Sequence, residues 1–261
     1  MDTQLLNPPL PLEEPLLLDQ PLKDKLCLVT GGSRGIGLAI ARMLLQEGAR
    51  VALCGRNQNA LDAAVADLNK ISPGKVGGKV ADVKDYEQVG ALFAYVDEAL
   101  GGLDVLVNNA GVGWFKNVSE LTVEDWAAII GTNLSGAFYC AREALRRFSL
   151  RGGGYIVNIS SLAGKNAFAG AAAYNASKFG LNGFSEAVML DSRYDNVRVS
   201  TIAPGSVATE FGGQASSTDR KPADWKVQPD DVAEIVRMLL RLPARTMASY
   251  VEVRPSKPPR K

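Results

Sequence analysis

Apolar positions along this chain follow two alternating rhythms. Lys25–Thr30 (KLCLVT), Arg50–Cys54 (RVALC), Lys75–Ala81, Leu103–Val107 (LDVLV), Gly154–Ile159, Val197–Ile202 (VRVSTI) and Ser249–Val253 (SYVEV) are short runs bounded by turn-forming residues, and they predict strands. Between them the period lengthens to that of a helix. Helices are predicted over Leu38–Gln46, stopped by Gly48, and over Asn57–Lys70, with Leu61, Ala64, Val65 and Leu68 on one face and Pro73-Gly74 beyond. Further helices are predicted over Asp85–Leu100, one long stretch Val123–Leu150, Tyr174–Asp191 and Pro229–Leu240. Strands alternating with helices imply a single α/β domain, a doubly wound parallel sheet covered on both faces. Ligands of such sheets bind at the carboxyl ends of the strands, beside the point where strand order reverses.

Length and charge narrow the picture. A chain of 261 residues suits one such domain. Its 29 basic and 28 acidic side chains leave a net charge of +1, which points to neither nucleic acid nor an anionic membrane as partner. No apolar run is long enough to span a bilayer. Residues 1–22 are rich in leucine but broken by Pro8, Pro9, Pro11, Pro15 and Pro21, without the basic and apolar regions of a signal peptide; an extended arm is expected there, a domain over 23–253, and a basic tail over 254–261. The chain has no histidine, which removes serine–histidine triads, histidine metal ligands and histidine bases. Cys27, Cys54 and Cys140 are odd in number and widely spaced, so a reducing, cytoplasmic setting is expected, with Cys27 and Cys54 as core thiols inside strands.

The chemistry concentrates in Gly154–Gly180. Ser161 follows a predicted strand, and Tyr174 and Lys178 stand one helical turn apart on one face. A free phenol titrates near 10, too high for acid–base work at neutrality. One cation at roughly 5 Å, in an effective dielectric of about 20, is worth about 3 kcal/mol, or roughly two pKa units. Lys178 in that position would let Tyr174 pass a proton, with Ser161 holding the substrate oxygen. The same three residues also describe a packed tyrosine, a solvated lysine and a loop serine, so the rest of the chain has to decide.

After the first strand comes Gly31-Gly-Ser-Arg-Gly-Ile-Gly37, which opens a helix, the context of a phosphate-binding turn. Its spacing, with Thr30 included, is T-G-x-x-x-G-x-G. The second strand ends in Leu53-Cys-Gly-Arg56-Asn57, with no acid to bond an adenosine 2′-hydroxyl. Arg34 and Arg56 offer two guanidiniums instead, which suit a 2′-phosphate and favour NADP.

With these residues in view, the chain closely resembles the short-chain dehydrogenase/reductase family over about residues 23–253. The resemblance rests on the Thr30–Gly37 turn, Asp82-Val83, Asn108-Asn-Ala-Gly111, Asn133, Ser161, Tyr174-x-x-x-Lys178 (the YxxxK motif) and Pro204-Gly205, in that order. It implies a Rossmann-like sheet. It implies Tyr174 as general acid, Lys178 as the cation that lowers its pKa and binds the nicotinamide ribose, Ser161 as the group that orients the carbonyl, and Asn133 as holder of a relay water. Gly31, Ser33, Arg34, Gly35, Ile36 and Gly37 would line the pyrophosphate and adenosine site. Asp82 and Val83 would flank the adenine, and Asn109 would lie beside the adenosine-side ribose, with Ala110 and Gly111 also in the cofactor site. Val207 and Thr209 would contact the carboxamide, with Pro204 and Gly205 also in the cofactor site. Ser161 rather than Ser160 stands at the family's distance before the tyrosine.

Two departures bear on the substrate. The last strand reads Tyr250-Val-Glu-Val-Arg254 rather than the glycine-rich ending of acyl-carrier-protein reductases, and the segment from Pro204 to Pro229 is short, so a small lid is expected. Both look more like the 3-hydroxy acid dehydrogenase and sepiapterin reductase-like branches. The expected reaction is NADP-dependent interconversion of a ketone and a secondary alcohol; a 3-hydroxy acid or a 3-oxoacyl thioester is the alternative substrate, and a cofactor-sensing regulatory or scaffold protein the alternative role. Trp114, Phe115, Leu162, Phe168 and Phe211 are expected to face a partly apolar pocket, while Lys116 and Lys165 leave an acidic substrate open. A homo-oligomer, a tetramer as in the family, is expected, with Ala127, Ile130, Phe138, Phe179, Phe184 and Val188 as interface candidates.

Overall fold

A computed structural model describes residues 22–211 and 224–259. Seven strands form one sheet: β1 Leu26–Thr30, β2 Arg50–Gly55, β3 Val76–Val80, β4 Val105–Asn108, β5 Gly154–Ile159, β6 Val197–Pro204 and β7 Tyr250–Val253. Every pairing is parallel and the order is β3-β2-β1-β4-β5-β6-β7. Strand order reverses between β1 and β4, so a crevice opens beyond Thr30 and Asn108.

The two-residue period of a strand divides the core. Cys27 and Val29 of β1, Val105 and Val107 of β4, and Tyr155 and Val157 of β5 point to one face. Leu26, Leu28, Leu106 and Ile156 point to the other. The first face is covered by α1 (Gly35–Gln46) and α7 (Pro229–Arg241), through Ile40, Leu44, Val232 and Val236. The second is covered by α3 (Tyr86–Leu100) and α5 (Gly136–Arg151), through Leu92, Phe93, Cys140 and Phe148. All three cysteines are buried and free. Burial holds the Cys54 thiol up at about 12, far from a reactive thiolate.

Local signals set the helix ends. The side chain of Asn57 caps α2 (Gln58–Asn69) and that of Asp85 caps α3. Thr122 and Asp125 form a capping box at the start of α4 (Val123–Ile130). The long stretch expected as one helix over Val123–Leu150 is two helices. A wide π turn over Gly131–Ser135 separates α4 from α5, because the Asn133 side chain is drawn inward to bond Val112 on the neighbouring loop.

Other expectations are relocated. Val188 of α6 (Ala172–Ser192) is buried in the core and presents no free interface, whereas Phe184 is half-buried, packing against that same core and edge-on to the exposed Phe138. The arm over 1–22 falls outside the described residues except Leu22, which is buried and whose N–H donates to the Glu47 carbonyl (3.2 Å). Residues 212–223, half of the expected lid, also fall outside them.

Candidate active site

The sheet edge carries one cleft of about 980 Å³, running from the ends of β1 and β2 to the ends of β5 and β6. At its β1 end, Thr30 explains its place before the glycines. Its hydroxyl donates to the Val107 carbonyl and accepts from the N–H groups of Asn109 and Ala110, at 3.0–3.3 Å, lashing β1 to the loop after β4. The Asn109 amide donates to the carbonyls of Thr30 and Gly31 at 2.9 and 3.1 Å. Two glycines are required sterically. Gly35 opens α1 at φ +55°, and a Cβ on Gly37 would lie 2.4 Å from the Gly31 oxygen. Arg34 stands before α1 in extended backbone, and no side chain caps that helix. Its first N–H groups are therefore available for an anion at the positive end of the helix dipole.

Gly31, Ser33, Arg34, Gly35, Ile36, Arg56, Asp82, Val83, Asn109, Ala110, Gly111, Pro204, Gly205, Val207 and Thr209 all line the cleft. Gly37 does not; it is buried beneath the turn and acts through the space it leaves. Arg34 is exposed and faces Glu210 at 3.4 Å, and exposed Arg56 faces Asp82 at 4.0 Å. Neither long, screened pair immobilises its guanidinium. Backbone donors at the helix start, with two loosely held cations beyond them, fit a dinucleotide carrying an extra phosphate.

At the other end of the cleft are Ser161, Tyr174 and Lys178. Ser161 follows β5, and its hydroxyl accepts from the Ala163 N–H at 3.1 Å. The neighbouring Ser160 hydroxyl is turned away to Asn182 (2.6 Å). Tyr174 and Lys178 occupy one face of α6, both buried. Lys178 Nζ donates to the Ile159 carbonyl at 2.8 Å and lies 5.8 Å from the Tyr174 ring centroid.

The electrostatics correct one expectation. The phenol is not depressed: burial pushes Tyr174 up, and the Ser161 hydroxyl draws it only part of the way back. Burial also brings the Lys178 ammonium down to about 8. Removal from water penalises both charged forms: the phenol stays neutral at pH 7, while an ammonium titrating at about 8 is still mostly protonated there.

Asn133 does not line the cleft. Its Oδ1 accepts from Val112 N (2.8 Å), and its amide donates to Val112 O and Ser177 Oγ (2.9 and 3.0 Å). Of the expected pocket residues, Phe115, Leu162, Phe168 and Phe211 line the cleft and Trp114 does not. Lys116 and Lys165 also lie off the lining; their amines are engaged by Asp125 (2.7 Å) and Glu252 (2.6 Å). The sequence reading missed a buried polar bridge beneath the site, in which Asn108 donates to Asn158 and Asn158 to Ser185, at 2.9 and 2.8 Å. Asn108 belongs to the Asn108-Asn-Ala-Gly111 motif, but nothing in the spacing pairs it with Asn158. Thr132 and Asn166 in the lining were missed as well.

The profile of the short chain dehydrogenase family matches residues 25–220. A 3alpha-hydroxysteroid dehydrogenase of Mediterraneibacter gnavus is 34% identical over 237 residues, 88% of this chain and 93% of that protein. A metagenomic short-chain oxidoreductase solved in complex with NADP is 36% identical, with a TM-score of 0.79 over 91% of this chain and 100% of that one. A variant of the actinorhodin polyketide ketoreductase solved with NADPH is 34% identical, with a TM-score of 0.81 over 89% and 96%. The chain belongs to the short-chain dehydrogenase/reductase family. Its activity is that of an oxidoreductase acting between a ketone and a secondary alcohol.

Proposed function

We propose that this protein is an NADP-dependent carbonyl reductase in which Tyr174 is the general acid. The carrying observation is the convergence of Tyr174, Ser161 and Lys178 at one end of a cleft whose other end is an uncapped helix start flanked by Arg34 and Arg56. NADP bound in related structures supports this choice of cofactor. When bound, NADPH supplies the hydride. The start of α1 and the turn Gly31–Gly37 would hold its phosphates, and Arg34 and Arg56 would hold the 2′-phosphate. Asp82 and Val83 would flank the base, Asn109, Ala110 and Gly111 the adenosine-side ribose, and Pro204, Gly205, Val207 and Thr209 the nicotinamide.

Ser161 donates a hydrogen bond to the substrate oxygen, and Tyr174 gives that oxygen its proton as the carbonyl is reduced. Lys178 stays charged once ribose hydroxyls accept from it, and its field then favours the phenolate left behind. Asn133 fixes Val112 at the cleft wall and keeps the π turn open, where a backbone carbonyl can hold a relay water. All four of these positions are filled, which argues against a scaffold that only senses cofactor. NADPH oxidation followed at 340 nm with a ketone panel tests the proposal. No turnover, with NADPH bound, would favour the sensing role.

The protein is proposed to work as a homotetramer in the cytoplasm. Val123, Trp126, Phe138 and Phe179 leave apolar surface exposed on α4, α5 and α6. Three buried free thiols suit a reducing compartment. Among the described residues no helix is long and apolar enough to cross a membrane. A monomer at micromolar concentration in sedimentation would remove the tetramer.

A further inference from the structure

The substrate end of the cleft is walled by three phenyl rings from three different loops. Phe115 follows β4, Phe168 follows β5 and Phe211 follows β6. They meet around the reacting phenol. Phe115 stands edge-on to Tyr174 with ring centres 5.9 Å apart, Phe211 lies tilted at 5.5 Å, and Phe168 lies 5.9 Å from Phe115. Each ring is nonetheless 36–48% exposed, so the wall has aromatic surface left to cover. Exposed aromatics at a reacting centre mark a binding surface more than a folding one.

This wall is built and held. The residue after Phe115, Lys116, pairs with Ala171 in an isolated parallel bridge that ties the two loops together, and the Lys116 amine is anchored on Asp125 at 2.7 Å. The Phe168 carbonyl accepts from the buried Asn175 side chain at 2.9 Å, which fixes the ring-bearing loop to the helix that carries Tyr174. Gly113 makes room for the third ring: a Cβ there would lie 2.9 Å from two Phe211 ring atoms and 3.3 Å from the Tyr174 ring. Any side chain at 113 forces Phe211 off the phenol.

Charge is arranged the opposite way. Among the described residues, the cationic side chains on the lining are Arg34, Arg56, Lys178 and Lys226. The two arginines belong to the far end, and Lys178 is buried against Ile159. Lys226 adjoins Val227, whose N–H donates to Ser206 and which bridges to Val207, on the wall assigned to the cofactor. The amines of Lys116 and Lys165 are already paired with carboxylates and lie off the lining. A substrate carboxylate would lose its hydration here with no described partner to replace it.

We infer that the substrate is an uncharged fused-ring ketone, its ring faces held by Phe115 and Phe168, and that Gly113 is a specificity-determining residue that lets Phe211 close over the reacting end. The inference rests on the reductase reading of Tyr174 and Ser161. A ring system presents a rigid apolar face to the tilted phenyl groups, whereas a flexible chain of equal size must be ordered first.

Three ten-carbon ketones test this with NADPH: 2-tetralone, decan-2-one and 9-oxodecanoate. The ring ketone is expected to have a kcat/KM at least about tenfold above decan-2-one, and 9-oxodecanoate the lowest value. Phe115→Leu and Phe168→Leu should each lower the ring-to-chain ratio about three- to tenfold, mainly through the KM of the ring ketone. Both positions are exposed, so these variants keep the fold. Gly113→Ala should lower the same ratio by displacing Phe211. Equal turnover of ring and chain, a preference for the keto acid, or an unchanged ratio in both leucine variants would overturn the inference and leave the reductase reading intact. Consumption of NADPH with none of the three, although NADPH binds by fluorescence titration, would overturn the reading and the inference together.

Discussion

The two ends of the cleft are built from different materials. At the cofactor end the working surface is backbone: glycines that cannot take a Cβ, an uncapped helix start and a threonine lashing two strands together. At the substrate end it is side chains, a phenol and three phenyl rings carried on loops after three strands. Backbone surface is fixed by the fold and recognises what every member of a family shares. Side-chain surface changes with single substitutions and holds what is particular to one protein. Arg34 and Arg56 are the exception, exposed side chains at the backbone end that are proposed to carry the choice between two cofactors.

The largest expected effect breaks one end and spares the other. Tyr174→Phe should lower kcat by about 10²–10⁴-fold, the usual worth of a positioned general acid. Its NADPH affinity by fluorescence titration should stay within a fewfold of the unchanged protein. Near-normal turnover would mean that the proton comes from elsewhere.

The next effect tests the exception. Charge-assisted hydrogen bonds contribute about 1.5–3 kcal/mol each, so the double change Arg34→Ala, Arg56→Ala should reduce the NADPH-over-NADH preference in kcat/KM by about a hundredfold. NADH turnover should be nearly unchanged. Equal use of both cofactors by the unmodified protein would refute the role given to the arginines.

A smaller effect probes the backbone end itself. In Gly37→Ala the added carbon meets the Gly31 oxygen at 2.4 Å and the Asn109 amide nitrogen at 2.5 Å, before relaxation. Overpacking of this kind costs about 1–3 kcal/mol, read as a lower urea midpoint, with weaker NADPH binding alongside. A variant as stable as its parent would show that the turn yields more easily than its contacts imply.

The smallest effect concerns the buried cation. Lys178 titrates at about 8 in the folded protein, against an ordinary 10.5. Between those values the unfolded chain binds more protons, so this site adds stability as pH rises from about 8 towards 10.5. Lys178→Met lacks the proton, and the other titrating groups cancel in the comparison. The stability of the unmodified, cofactor-free protein relative to Lys178→Met should therefore improve by about 1 kcal/mol from pH 7 to pH 9. Urea unfolding at both pH values checks it; a constant difference would mean that the ammonium is solvated rather than buried.

Much of this was legible in the chain because it is local. Each of the seven strands appears within two residues of its predicted limits, since each is a short apolar run with turn residues at its ends. The glycine turn and the Tyr174–Lys178 spacing are equally local. The break at Gly131–Ser135 was not legible: the helical period continues through it, and the partner that opens it, Val112, lies 21 residues before Asn133. Val188 looked like spare apolar surface on a helix until the packing of α6 showed which side faces the core.

By itself, then, the sequence determined the layered parallel sheet, the glycine turn that opens α1 and the placing of Tyr174 and Lys178 on one helix face, because periodicity and short spacing act within a turn or a strand. The tertiary structure alone decided the protonation of the site and the shape of its substrate wall. A cation near a phenol was expected to lower its pKa, but the depth of burial, a property of everything packed around α6, raises the phenol instead and brings the ammonium down to about 8. Three phenylalanines 43 to 96 residues apart form one wall only because β4, β5 and β6 end at the same edge of the sheet, and no window of sequence contains that edge.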